Sequence, residues 1–410
     1  MNSPSDVVAG PRRAAVAFIF ITVFLDILAF GLIIPVFPHL IASFVGGNLS
    51  EAAKWHGVFA TAFMVMQFFC SPIQGALSDH FGRRPVILMS NLGLGLDFIL
   101  MALAPTLPWL FIGRVLSGIT SASFSTANAY IADVTPPEKR AQAFGMLGMA
   151  FGLGFVLAPG IGGMLGEIHP RWPFWFGAAL CLSNFCYGFF ILPESLSKEH
   201  RSPFSWRRAN PVASLMWLRT QPEILALVSV TFLMALAHLV YPMTFVLYAD
   251  YRFGWGSKMV GITLAIVGLV GAVVQGGLVG KIKNALGERR MLLTGCVMGS
   301  LAFILYGLAP TGYLFWCIIP IAAFWGIANP AAQAIMTHHI PPNEQGRLQG
   351  AIGSLNSVAG IIGPTMFTHV FASVAAAATP SWTSGATFFM AGGLVALGGV
   401  IAWVSTRGES

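Results

Sequence analysis

The 410-residue chain is 56% hydrophobic and only 9% charged, with a mean hydropathy of +0.75. A soluble domain carries about 25% charged residues, and no soluble fold of this length hides so much apolar surface, so the composition specifies a polytopic membrane protein. The net charge of +7 is spread over many short connections rather than gathered on one face, which excludes a nucleic-acid-binding footprint and makes the basic residues markers of topology.

Arg12-Arg13 before an apolar run imitates a secretory or twin-arginine leader. The run is too long for a leader, Asp26 interrupts it, and no small-residue cleavage site follows, so it reads as an uncleaved first membrane helix. A bilayer core needs about 20 apolar residues per helix. That predicts twelve spans, at 14–35, 56–77, 85–104, 107–131, 141–166, 173–193, 223–246, 259–280, 290–309, 313–337, 347–371 and 385–405. With the N-terminus inside, seventeen Lys and Arg fall on the cytoplasmic side and four (Lys54, Arg171, Arg252, Lys258) on the other, with Arg114 inside a span; this places both termini in the cytoplasm. The segment 194–222 is the one long cytoplasmic loop. Trp206 and its basic neighbours suit a piece lying on the membrane surface, and a plain linker is the alternative. Either way it separates residues 1–193 from 223–410. The five cysteines all lie in apolar runs without metal-ligand or redox spacing, so they read as small core residues, with no disulfide and no metal site.

The stretch Gly75–Leu88, GALSDHFGRRPVIL, reads as a short polar loop between two spans, with Asp79, Arg83 and Arg84 between and beside the glycines Gly75 and Gly82, and Pro85 at an N1-like helix position. It recurs 205 residues later as Gly280–Arg289, GKIKNALGER, where Asn284 replaces Asp79. At the same offset Gly148 meets Gly353 and Ala158-Pro159 meets Gly363-Pro364. The chain is therefore expected to be all-α, with twelve transmembrane helices in two pseudo-symmetric six-helix bundles. In transporters built this way the substrate site lies near the midplane between repeats. Gly75, Asp79, Gly82, Arg83 and Arg84 are candidate gating residues, with Asp79 latched by Arg83, by Arg140 or by a helix N-terminus.

Three ionisable residues remain inside the predicted bilayer: Asp26, Asp97 and Arg114. Each costs about 2.5–3.5 kcal/mol to insert at the bilayer centre. At about 1.5 Å of rise per residue, both carboxylates lie about 18 Å from their cytoplasmic helix starts, and Arg114 about 10 Å from the far side. All three thus share one depth, as a common polar cavity requires. A proton and a cationic partner compete for such a carboxylate, which is the minimum chemistry of antiport; a structural ion pair that locks helices is the plainer reading. His238 in span 7 suits proton handling or packing equally. Tyr130, Asn128, Gln275, Gln333, Asn329 and Asn356 are further cavity candidates. Span 5 carries Gly152, Gly154, Pro159, Gly160 and Gly163 in GLGFVLAPGIGG, a small-residue face that allows close helix approach with a proline that permits bending.

These motifs together resemble the major facilitator superfamily, and within it the twelve-helix drug:proton antiporters, the tetracycline/proton antiporters above all. GALSDHFGRRPVIL is similar to the superfamily's loop 2–3 motif, LDILAFGLIIPVFP to the antiporters' first-helix motif, FIGRVLSGITSAS to the helix 4 motif attributed to proton coupling, GLGFVLAPGIGG to the helix 5 antiporter motif, and RFGWGSKMVG to the loop before helix 8. The resemblance implies proton-coupling and substrate roles for Asp26, Asp97 and Arg114. The tetracycline exporters also have a helix 8 histidine and a helix 9 aspartate, and the matching positions here are Gly271 and Gly299, so the residues themselves do not imply a metal–tetracycline substrate. The expected function is a proton-driven exporter of a small amphipathic or drug-like molecule in the inner (plasma) membrane, a monomer working in the lipid bilayer, with no cofactor beyond the proton gradient and no nucleic-acid partner. A proton-coupled transporter of a metabolite or metal chelate, and a non-transporting receptor on the same fold, are the alternatives. No clustered nucleophile–base or metal set suggests an enzyme.

Overall fold

The computed structural model describes residues 9–121, 123–136, 140–204, 216, 218, 221–341, 344–376 and 382–407. Lys139 and the linker residues Trp206, Arg207, Arg208 and Arg219 lie outside the described residues, as does the latch role predicted for the side chain of Arg140.

Regular structure among the described residues is helical. In chain order the helices are α1 (Ala9–Leu32), α2 (Phe37–Phe44), α3 (Leu49–Phe81), α4 (Arg83–Leu103), α5 (Leu107–Thr120), α6 (Ser123–Val134), α7 (Arg140–Ile168) and α8 (Trp172–Ile191). Then follow α9 (Pro222–His238), α10 (Val246–Phe253), α11 (Ser257–Val273), α12 (Val279–Leu308), α13 (Gly312–Ala323), α14 (Ala328–His339), α15 (Gln345–Ala375) and α16 (Ala386–Ser405). Ten stretches of the described residues are long and apolar enough to cross a membrane. One of them, Ser257–Leu308, holds two predicted spans joined at Gly287, and the predicted span 107–131 is supplied by α5 and α6 in succession. Twelve crossings result. Their outward faces carry large apolar side chains such as Phe190, Ile168 and Val297, as lipid contact requires.

Two compact units emerge, one from residues 1–33 and 65–210, the other from 34–64 and 211–410. In the first unit α1 lies along α7, and α4 lies between α5 and α8. The close approach of α1 and α7 depends on small residues: a Cβ on Gly154 would sit 2.8 Å from Ile27 Cγ2, and one on Gly162 would run into the backbone of Leu32. Helix α7 runs on through Pro159.

In the second unit α12 packs on α16 and α14, and α9 on α16 and α15. Helix α2 and the first half of α3 belong here. Thr61 and Thr365 share a hydrogen bond of 2.9 Å, Ser50 Oγ donates to the carbonyl of Ala372 at 2.8 Å, and His39 Nδ1 lies 3.5 Å from Asp250 Oδ2. Three crossings of this unit lose regular α-geometry midway. Tyr241–Phe245 and Val274–Leu278 widen to π turns, and Phe324–Ile327 tightens to a 3-10 turn.

The expected polar loop at Gly75–Leu88 is corrected by the structure. Helix α3 continues to Phe81 and α4 starts at Arg83, so a single residue, Gly82, makes the reversal at φ 109° and ψ 161°. Only glycine takes that backbone freely, and it alone suffices because the charged residues remain helical. Pro85 accordingly sits third in α4 rather than first, where its missing N–H still costs nothing. The second copy repeats the device at Gly287, with φ 74° and ψ 167°.

Candidate functional site

Helix α4 organises the polar interior of the first unit. Asp97 and Arg114 are 1% and 6% exposed, and Arg114 Nη2 lies 3.5 Å from Asp97 Oδ2. Ser117 bridges them: its hydroxyl donates to Asp97 Oδ2 and accepts from Arg114 Nη2 at 3.2 Å. Arg114 and Ser117 share a face of α5 because they are three residues apart. Gly113 provides the clearance, since a Cβ there would stand 2.8 Å from Asp97 Oδ1.

Asp26 belongs to a different cluster. It is half-buried on α1, and Asn184 Nδ2 donates to its Oδ1 at 3.0 Å and to the carbonyl of Thr22 at 3.1 Å. With the Asn91 amide oriented to satisfy its neighbours, its nitrogen donates to both Asp26 oxygens at 3.1 and 3.2 Å and its oxygen accepts from Asn184. Asn91 precedes Asp97 by six residues on α4, about 9 Å of helix rise. The buried Cys181 of α8 lies in the field of both carboxylates. Asp97 and Arg114 come together through Ser117, and Asp26 accepts hydrogen bonds from the Asn184 and Asn91 amides.

His238 lies in the second unit at the end of α9, with the Trp325 ring 5.6 Å and the Tyr241 ring 5.9 Å from its own. Of the other cavity candidates, Tyr130 is fully buried and donates to the carbonyl of Pro193 at 3.0 Å, so it does not line an open cavity. Gln275 and Asn356 are exposed, Asn329 is exposed beside Pro330, and Gln333 is half-buried.

The residues predicted to gate surround the α3–α4 reversal. Arg83 Nη1 donates to Asp79 Oδ1 at 2.5 Å and to Ser78 Oγ at 2.7 Å, and its Nε donates to Asp133 Oδ2 of α6 at 3.1 Å. Arg84 Nη2 donates to the carbonyl of Phe189 at 2.6 Å. Glu194, beyond α8, accepts the backbone N–H groups of Arg83 at 2.8 Å and Arg84 at 3.3 Å. It caps α4 in place of the side chain that Gly82 lacks, and its charge faces the positive end of the helix. Gly75 meets no neighbouring atom across its missing Cβ.

The 205-residue repeat returns the Arg83 position with opposite sign, while Arg84 meets Arg289. Glu288 replaces Arg83, and its carboxylate lies 2.8 Å from Lys283 Nζ and 3.5 Å from His338 Nδ1. Lys283 corresponds to Ser78 and His338 to Asp133.

Within the helix 5 motif, Gly154 contacts α1 next to Asp26, whereas Gly152 meets nothing; Gly160 is half-buried and Gly163 buried. Sequence reasoning missed Asn91, Asn184, Ser117, Asp133 and Glu194 as partners of the charged residues. For the two asparagines a signal existed, since each is an amide inside an apolar span, where a polar side chain seeks an interhelical partner.

The sequence matches the family model described as Major Facilitator Superfamily over residues 19–364. It is 37% identical over 370 residues to the class C tetracycline resistance protein of Escherichia coli, covering 90% of this chain and 93% of that one. With the class B tetracycline resistance protein of Escherichia coli it shares 36% over 350 residues, covering 85% and 86%. The fold is similar to that of the human organic anion transporter MFSD10 (TETRAN), with a TM-score of 0.70 and 25% identity over 96% of this chain and 100% of that one. A helical multi-pass architecture, a repeat that returns the same glycine reversal, and relatives matched along nearly their whole length agree: the chain belongs to the Major Facilitator Superfamily.

Proposed function

We propose that the protein is a proton-coupled exporter of a small amphipathic or drug-like molecule, working by alternating access. The observation that carries the reading is Asp97 with Arg114 and Ser117, a charged group sealed among membrane-spanning helices. Each such charge costs about 2.5–3.5 kcal/mol to insert, and a transporter recovers that cost as function. The tetracycline resistance relatives support a drug as cargo. Asp26 is the second coupling residue. Asn184 and Asn91 donate hydrogen bonds to its carboxylate, which is only half-buried on α1 and so keeps access for a proton. The proton gradient is the sole energy source and no cofactor is needed; each proton crossing yields about 2.3 kcal/mol per 100 mV. The chain acts as a monomer in the inner membrane with both termini cytoplasmic, its sequence halves 1–193 and 223–410 joined by 194–222. It transports and does not catalyse covalent chemistry.

The test is substrate-dependent proton flux in proteoliposomes under an imposed pH gradient, with a tetracycline first in the substrate panel. Asp26→Asn is expected to lower that flux at least tenfold while leaving the protein folded. Undiminished flux in this variant removes Asp26 from the coupling machinery.

A further inference from the structure

Among the described residues, the three irregular turns that fall midway in spans of the second unit bring side chains around Trp325. His238 and Tyr241 flank the entry to the Tyr241–Phe245 π turn, Gln275 lies in the Val274–Leu278 π turn, and Trp325 in the Phe324–Ile327 3-10 turn. The last two turns pack on each other, and a Cβ on Gly326 would sit 3.2 Å from Gln275 Nε2. Departures from α-geometry inside otherwise regular helices concentrate at functional sites, and interrupted membrane helices line substrate sites.

Trp325 is fixed on several sides. Phe303 meets it edge-on at 5.0 Å, His238 lies 5.6 Å away at an interplanar angle of 35°, and Gly299 backs it. A Cβ at position 299 would stand 2.5 Å from the indole Cδ1 and 2.7 Å from its Cγ. The indole therefore fills the room any side chain at position 299 would need. His238 and Gln275 are exposed, and Trp325 and Tyr241 are half-buried. Three rings and one amide thus gather around the Phe324–Ile327 turn. Ring centroids 4.5–7 Å apart are the favourable range for aromatic pairing, and the amide supplies a donor and an acceptor.

We propose that His238, Tyr241, Trp325 and Gln275 form a recognition station for a planar, fused aromatic ring system on the transported molecule. The ring system stacks on Trp325 and His238, and Gln275 hydrogen-bonds a heteroatom at its edge. Gly299 is the specificity element, because its missing side chain holds the indole in position. This inference rests on the export function proposed above but is tested by binding, which does not require transport.

The probe is 9-aminoacridine, titrated by fluorescence anisotropy onto the full chain in nanodiscs, with dodecyltrimethylammonium as a non-aromatic competitor. Wild-type protein is expected to bind the acridine and to release it poorly to the competitor. Trp325→Ala and His238→Ala are expected to weaken binding at least tenfold, and Trp325→Phe less than threefold. Gly299→Val, which removes no ring but displaces the indole, is expected to weaken it as much as Trp325→Ala. Should Trp325→Ala fail to fold, His238→Ala and Gly299→Val carry the test, each checked by its gel-filtration profile. Unchanged affinity in folded Trp325→Ala or Gly299→Val overturns the station, as does a wild-type protein that binds none of 9-aminoacridine, doxorubicin and tetracycline. Tight, Trp325-dependent binding together with no proton-coupled flux across the whole substrate panel would instead sink the export function and leave the station standing.

Discussion

At the residue scale, the two membrane carboxylates differ in what holds them. Asp97 faces a guanidinium and a hydroxyl in a dry setting, while Asp26 faces two amides and keeps part of its surface accessible. Removing one partner of a buried ion pair costs about 3–5 kcal/mol, because the remaining charge is left uncompensated, whereas replacing both partners by neutral groups is close to neutral. Arg114→Gln is therefore expected to destabilise the protein by about 3–5 kcal/mol. The double variant Asp97→Asn/Arg114→Gln should regain most of that and still fail to transport. Unfolding in detergent gives the stability order and vesicle flux the activity. A single variant as stable as wild type would mean that Ser117 alone satisfies Asp97.

At the element scale, α4 depends on a residue more than a hundred positions away. Gly82 makes the reversal but has no side chain to accept the first N–H groups of α4, and the Glu194 carboxylate takes them. Loss of a capping acceptor costs about 0.5–2 kcal/mol. Glu194→Ala is expected to cost about that much and to speed amide hydrogen exchange in the first turn of α4, leaving exchange in α12 unchanged; uniform protection across α4 would show that the cap is dispensable. The contrast between Gly82 and Glu194 marks what was legible in the sequence. Spans and repeat could be read because hydropathy and a fixed 205-residue offset are local patterns, and the offset correctly paired Gly82 with Gly287. The charged stretch looked like a loop because polarity normally signals one, and nothing local shows that Phe81 is still helical. Glu194, Asn91 and Asn184 became partners only through packing of distant helices. Gly299 could be matched to a missing acid, but that Trp325 fills its place is a tertiary fact with no trace in the spacing of either residue.

At the scale of the whole molecule, the repeat preserves the glycine reversal and inverts the charge of the residue that follows it. Arg83 is surrounded by Ser78, Asp79 and Asp133, whereas Glu288 is surrounded by Lys283 and His338, the counterparts of Ser78 and Asp133. In both reversals the residue after the glycine pairs with a side chain of the preceding segment, with the signs exchanged between the two copies. Among the described residues, the ion-pair partners of each cluster lie in its own unit. Arg83→Glu places a carboxylate beside Asp79 and Asp133, and Glu288→Arg places a guanidinium beside Lys283 and His338. Like charges in direct contact destabilise and opposite ones stabilise, so each single variant is expected to lose most transport, at least tenfold in initial flux. The combined variant Arg83→Glu/Glu288→Arg should be no better than the worse single one, because neither cluster regains a complementary neighbour. Rescue is expected from swaps within a cluster: Lys283→Glu/Glu288→Lys restores the second reversal with its polarity turned round. Flux in proteoliposomes, read together with thiol accessibility of single-cysteine reporters on α3 and α12, separates the outcomes. Recovery in the double swap between copies would show that Arg83 and Glu288 act as partners of each other during the transport cycle, and the two reversals would then be halves of one lock rather than two independent hinges.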